Sequence, residues 1–552
     1  MFRSIAPYGR ARTLQILASF LIFCILLSTL RLYSRQPPPV PSIYEYTDGK
    51  TRGGRQNETG SNNVPPPSDE TAYLRYLVRE HSLTNEVPWL ARRLKVQFDA
   101  KTRKSMTEVP NLRFARPDFR RVRADDERLD LSAEKPVPIA LTPSVMPDQV
   151  DASGLLFGIS TSYDRLSYGN SSLIRDWARW LTDGKGKSNG ASLVLTLHRT
   201  TSAEIDYVTS KLQEAGIEAA VFPAENTQDS SGRYLDLVGL LARRNTELSG
   251  DGREKKFLAL IDDDVFFPSL SKLLARLGKF SSKKKTYLGL PSERADWTIE
   301  NNVTLTYGGG AVFLTPPMAE AVSQLPCLNS TETTRTGQWD ETLYNCIAAH
   351  TDEKLHIIPS LYAPGDDAYG LRTGYESGLA PLALHHYKHR HRFDAGKAHA
   401  VASLCGEACF LQRFFFREDG WVLVNGHSIA QYPDGVAVAP ASKSLGKSDI
   451  NSKDKPRVSL KVGDRLVLDK EDDSDKRLDG RMVVSWAGTK RTWRLLDSRI
   501  GAAGEVWQAY VKRKGSPVTY GDEDDRLPED DTVHTQDGPS DVDSVIVLIW
   551  EP

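Results

Sequence analysis

Between Gly154 and Asp264 the chain alternates short runs that are apolar throughout with stretches of helical periodicity. The runs are GLLFGIS, ASLVLTLH, IEAAVF and KFLALIDDD, and between them lie SLIRDWARWL, AEIDYVTSKLQEAG and YLDLVGLLARR. A strand without a polar face must be covered on both sides, and helices inserted between consecutive strands supply that cover. The order therefore predicts a mainly parallel sheet between two helical layers, an α/β domain over residues 151–400. Sheets of this kind bind ligands beyond the carboxyl ends of their strands. Past residue 401 the texture changes to GWVLVNG, RVSLKVGDRLVL, RMVVSWAG, RTWRLL, EVWQAYVK and SVIVLIW, with no long helices between them, which predicts a β-rich domain over 401–552. The acidic stretch from Asp522 to Asp531 inside it suits a solvated loop. A chain of 552 residues is too long for one compact domain, so at least two folded units are expected.

The N-terminus sets the compartment. Leu14 to Leu30, LQILASFLIFCILLSTL, carries no charge and approaches the ~20 residues a helix needs to cross a bilayer. Arg3, Arg10 and Arg12 precede it, and no small-x-small cleavage site follows. We read residues 1–13 as a cytoplasmic tail, 14–33 as a transmembrane signal anchor and 34–150 as a stem and membrane-proximal extension. Proline, glycine, asparagine and serine dominate from Gln36 to Glu70, a composition that holds a domain away from a surface. Within the extension, AYLRYLVREH and EVPWLARRLKVQF both read as helices. A lumenal location gives meaning to the sequons at Asn57, Asn170, Asn302 and Asn329. It also leaves four cysteines, Cys327, Cys346, Cys405 and Cys409, which allow two disulfides; nearest-neighbour pairing and free thiols are both open from sequence. The 71 basic and 72 acidic side chains cancel to a net charge of −1, so no overall field favours nucleic acid.

Chemistry concentrates in four segments. In FLALIDDDVFF an apolar strand ends in Asp262, Asp263 and Asp264, whose mutual repulsion calls for a cation or strong donors, and hard oxygen ligands suit Mn²⁺ or Mg²⁺. Alternation along an extended chain would send Asp262 and Asp264 to one side and Asp263 to the other. Three such acids also suit a solvated turn. YGGGAVFLT places Gly309 and Gly310 where backbone can approach a ligand or simply turn. GQWDETLYNCI puts Asp340 and Glu341 at a helix start, where an acid can cap the helix. LALHHYKHRH offers His385 and His386 as candidate metal ligands or as surface basic groups.

In this order, the segments GISTSYDRL with LIRDWARWL, IDDDVFF, PSERADW with YGGGAVFLT, WDETL and LHHYKH resemble the motifs of the Fringe-like β-glycosyltransferases, glycosyltransferase family 31, and especially its fungal type II membrane members. The likeness covers about residues 154–395. It implies a GT-A (Rossmann-like) glycosyltransferase fold, a UDP-sugar donor and a glycan or glycoprotein hydroxyl as acceptor. It further implies dependence on Mn²⁺ or another divalent cation, inversion at the anomeric carbon, and a hexosyl- or N-acetylhexosaminyltransferase of the Golgi lumen. By the same likeness Asp264 is a metal ligand, with His385 or His386 completing the shell, and Asp262, Asp263, Gly309 and Gly310 belong to the donor site. Asp340 is then the general base, and Thr161 and Asp164, at the end of the first βα unit, belong to the nucleotide pocket. WDETL departs from the pattern, with one Asp and a Glu where Fringe-type members carry two adjacent acids, so Asp340 and Glu341 both stay open. The β-rich domain has no counterpart in Fringe proper. Two other classes fit the same residues: a catalytically silent lectin-like or scaffold protein, and a metal-dependent hydrolase of glycans or phosphates.

Overall fold

A computed structural model describes residues 69–552 apart from 101–103, 105, 111, 117, 130, 132–134, 168–171, 225–228, 291–298, 301–302, 305–309, 330–337, 359–374, 378–380, 389–392, 441–465, 469–481, 487, 517–518 and 522–541. The expected membrane segment, the stem up to residue 68, the sequons at Asn57, Asn170 and Asn302, Gly309 and the acidic loop lie outside the described residues. Among the described residues, no helix is long and apolar enough to cross a membrane. Residues 62–552 form one compact unit, and the other unit, 1–61, falls outside the described residues.

The expected α/β sheet is present. Strands β2 (Leu155–Ser162), β3 (Ser192–His198), β4 (Ala219–Pro223) and β5 (Phe257–Leu260) pair in parallel in the order β4-β3-β2-β5. Beyond β5 stand β8 (Ala311–Leu314), β7 (Tyr287–Leu290) and β9 (Leu355–Ile357); β8 is antiparallel to both its neighbours, so the other strands of this path run one way. All eight residues of β2 are buried, as expected of a strand covered on both faces. Helix α5 (Ser230–Gly250) lies so close over β2 that a Cβ at Gly158 would stand 2.9 Å from Leu241 and 3.1 Å from Leu237, and glycine there lets the layers close. One strand departs from the expected division: Leu466–Leu468, from RVSLKVGDRLVL, pairs in parallel with β9 and extends the α/β sheet instead of the β-rich one. That pairing covers what would otherwise be an open edge.

The β-rich part is an eleven-stranded sheet among the described residues. It runs through β11 (Arg413–Phe416), β12 (Trp421–Val424), β13 (Ser428–Gln431), β14 (Gly488–Ile500), β15 (Val506–Lys512) and β16 (Ser544–Glu551), and then into β1 (Glu86–Gln97). β1 pairs with β16 in parallel register from Trp89 with Val545 to Lys95 with Glu551. AYLRYLVREH does form a helix, α1 (Glu70–Glu80), capped by Asp69 at the Ala72 N–H. EVPWLARRLKVQF is not the expected helix. Its apolar residues serve two faces of a strand, Val87 and Trp89 on one and Leu90, Leu94 and Val96 on the other, and each face enters a different core cluster. Pairing to a strand more than 400 residues away overrides the local helical pattern, a known weakness of propensity.

The two sheets share a core. One buried cluster joins Phe157, Trp177, Trp180 and Ile261 of the α/β part to Phe414, Trp421 and Trp550 of the β-rich part and to Leu90 and Leu94 of β1. The expected boundaries at 150/151 and 400/401 thus fall inside a single compact unit. Both nearest-neighbour disulfides form, Cys327 with Cys346 (Cα–Cα 5.8 Å) and Cys405 with Cys409 (5.7 Å).

Candidate metal centre

Asp262, Asp263 and Asp264 stand just past the carboxyl end of β5, on a turn closed by the Val265 N–H donating to the Asp262 carbonyl at 3.2 Å. The chain then enters β6 (Val265–Phe266), whose antiparallel partner is β10 (Leu384–His385), with His385 opposite Val265. The His386 N–H donates to the Asp264 carbonyl at 3.1 Å. A two-residue ladder thereby sets the histidine doublet against the aspartate triplet. His386 adopts a left-handed backbone (φ 53°), and its ring stacks on that of His385 with centroids 3.9 Å apart.

Asp262 and Asp264 do share one side, as alternation predicts, although a turn and not an extended strand places them there. His385 Nε2 lies 2.9 Å from Asp262 Oδ2 and 3.8 Å from Asp264 Oδ1, and His386 Nδ1 lies 2.7 Å from Asp264 Oδ2. One ligand atom from each of Asp262, Asp264, His385 and His386 falls within 4.8 Å of the others. Asp264 Oδ1 is buried and accepts no hydrogen bond from a described residue. A buried carboxylate oxygen without a hydrogen bond, beside three further donor atoms, is what a divalent cation would satisfy. These residues therefore fit a metal ion.

Asp263 faces the other way. Its Oδ2 accepts from Thr161 Oγ1, its Oδ1 lies 2.5 Å from Arg165 Nη2, and its carbonyl accepts from Trp177 Nε1 at 3.0 Å. Burial pushes its carboxyl above the usual range, and the Arg165 charge and the Thr161 hydrogen bond only partly offset that. For Asp264 burial also acts upward, but the His386 hydrogen bond and the charges of His386, His385 and Arg165 outweigh it and leave the group below its usual value.

Thr161, next to last in β2, is drawn into the aspartate turn. Asp164, exposed in the short helix α2 (Tyr163–Ser167), makes no recorded contact with that turn. Gly310 is buried, donates its N–H to the Leu290 carbonyl at 3.1 Å and enters β8, whose Val312 faces Leu260. Asp340 and Glu341 occupy the first turn of α7 (Trp339–His350). Tyr287, raised well above the usual phenol range chiefly by burial, also feels the Asp340 charge.

Two residues at the site escaped the sequence reading. Trp339 Nε1 donates to Asp262 Oδ1 at 2.7 Å while its ring stacks on Tyr234 at 4.5 Å, tying the start of α7 to the aspartate turn. Arg165, one position from Asp164, carries the only recorded guanidinium contact to Asp263 and Asp264 among the described residues. The signal for Trp339 was its place directly before Asp340, and for Arg165 its place at the end of the first βα unit.

No family model matches the chain, and no curated protein matches it. Among solved structures it is similar to the glycosyltransferase GlyE of Streptococcus pneumoniae TIGR4, at 13% identity and a TM-score of 0.25 over 42% of this chain and 53% of that one. This chain thus spans about half the length of GlyE. It is also similar to a glycosyltransferase involved in glycosylation of the major capsid of PBCV-1 (9%, TM-score 0.25, 44% of this chain and 98% of that one). A third is an active-site mutant of LgtC (12%, TM-score 0.25, 42% and 86%). Likeness of this degree carries no statement about substrate.

Proposed function

We propose that the chain is a metal-dependent glycosyltransferase of the GT-A type, moving a sugar from a UDP-linked donor to a hydroxyl of a glycan or glycoprotein with inversion. We further propose that it acts in the Golgi lumen as a type II membrane protein anchored by residues 14–33. One observation carries the catalytic part: Asp262, Asp264, His385 and His386 converge within 4.8 Å beyond the carboxyl end of β5, where sheets of this kind bind ligands.

Asp262, Asp264, His385 and His386 would hold the cation, and a divalent ion bound there supplies positive charge to a departing nucleoside diphosphate. Thr161 and Arg165 engage the buried Asp263 carboxylate and hold the turn that presents its neighbours. Trp339 fixes Asp262 from the opposite side and sets the first turn of α7 beside it. Asp340, in that turn, is assigned to take the acceptor hydroxyl's proton as its oxygen attacks. Gly310, without a side chain, is assigned to the donor site.

Calorimetric titration of the full-length chain with UDP, with and without Mn²⁺, tests this directly. UDP is expected to bind only with Mn²⁺, and Asp264→Ala to abolish that binding. Equal binding with and without metal, or none in either case, refutes the metal-bridged transferase.

A further inference from the structure

We infer that Arg165 is a donor-binding residue whose guanidinium receives the diphosphate of the sugar nucleotide, an inference that rests on the glycosyltransferase proposed above. Arg165 sits on α2 directly after β2, with Nη2 at 2.5 Å from Asp263 Oδ1 and 3.9 Å from Asp264 Oδ2. Its side chain keeps 56% of its surface exposed, whereas those of Asp263 and Asp264 keep 9% and 11%. The guanidinium thus spans the boundary between a buried carboxylate and the open side of the turn. Asp263 engages the fork through Nη2 alone. A guanidinium carries five N–H donors in a plane, and among the described residues Nε and Nη1 have no recorded partner.

Neutralising Asp263 requires only a positive charge, which a lysine would provide. A planar fork anchored at a single nitrogen, on a side chain more than half exposed, keeps the donors that bidentate phosphate recognition uses. Asp263 is also held by Thr161 at its carboxylate and by Trp177 at its carbonyl, so Nη2 of the guanidinium rests on an immobile group. The second contact, made by the same Nη2, sets what lies beside the guanidinium. Asp264 belongs to the candidate metal cluster, so a phosphate that reaches that cluster comes within range of Arg165. Three adjacent carboxylates would otherwise repel a diphosphate, and a cation with Arg165 beside it offsets that repulsion.

The test uses the full-length chain and Arg165→Lys, titrated with Mn²⁺ alone and then with UDP and with inorganic pyrophosphate at saturating Mn²⁺. The lysine variant should keep its Mn²⁺ affinity within about twofold and bind both UDP and pyrophosphate about tenfold or more weakly. If the lysine variant does not fold, Arg165→Gln, which can still donate to Asp263, discriminates in the same way. Unchanged UDP and pyrophosphate affinity limits Arg165 to balancing Asp263 and overturns the inference. So does a matching loss of Mn²⁺ affinity, because the residue then serves the turn and not the ligand. A wild-type chain that binds no UDP in Mn²⁺ overturns the transferase proposal itself, which separates that failure from a failure of Arg165 alone.

Discussion

In the α/β sheet, β2, β3 and β4 are consecutive both in the chain and in space, whereas the β-rich sheet joins β1 to β16 through residues such as Arg93 and Glu551, which lie 458 positions apart. The first arrangement writes itself into local sequence, as apolar runs punctuated by amphipathic helices. The second does not, because each strand depends on a partner that no window of the sequence contains. The two regions also divide the labour. Every residue of the candidate site belongs to the α/β part, and the β-rich part contributes core to it through Phe414, Trp421 and Trp550.

If that shared core is indispensable, removing residues 542–552 should cost the whole fold and not the β-rich sheet alone. The truncated chain is expected to yield no soluble folded protein, and retained Mn²⁺-dependent UDP binding would show that the α/β part stands by itself. A milder change separates chemistry from architecture. Asp340→Asn should lower turnover about a hundredfold or more while UDP binding in Mn²⁺ and the thermal midpoint stay near wild type; unchanged turnover would shift the base assignment to Glu341.

The smallest expected effect probes the seam between the regions. His399 packs its ring edge-on against Phe266 and Phe410 and donates from Nε2 to the Pro268 carbonyl at 3.1 Å. Burial, with the Arg179 charge beside it, lowers its pKa to about 3. The folded state keeps the ring neutral while the unfolded chain protonates near 6.5, so the unfolded state binds the extra proton between those values. This contribution to stability is complete above about pH 6.5 and is lost progressively as pH falls toward 3. At pH 5 it amounts to about 2 kcal/mol relative to pH 7. Denaturant unfolding of wild type and His399→Gln at both pH values should show a flatter pH response in the variant, and equal slopes would remove His399 as the cause.

What was legible follows the same division. The strand-helix rhythm, the aspartate turn and the histidine doublet lie within short stretches, and the structure brings the turn and the doublet together; the two disulfides join nearest neighbours, a pairing that stood open beside free thiols. The segment from Glu86 failed because its apolar spacing satisfies a helix locally, whereas pairing with β16, and with Arg120–Arg123 and Val137–Ala140, makes it a strand. Leu466–Leu468 failed for a similar reason: nothing nearby shows that its partner is β9. Trp339 and Arg165 were overlooked because their neighbours Asp340 and Asp164 fit an expected role, while an indole N–H and a guanidinium reaching Asp262 and Asp263 are visible only once α7 and α2 are placed.

The parallel pairing of β1 with β16 has a consequence for how the protein is made. β1 is synthesised well before its partner, so at ordinary elongation rates of roughly 5 to 20 residues per second it waits roughly half a minute to a minute and a half for residues 545–551. Throughout that interval Val87, Trp89, Leu90 and Leu94 lack their final cover, and the strand edge that will face β16 stays unpaired. The nascent chain is therefore most exposed to mispairing between the synthesis of β1 and that of β16.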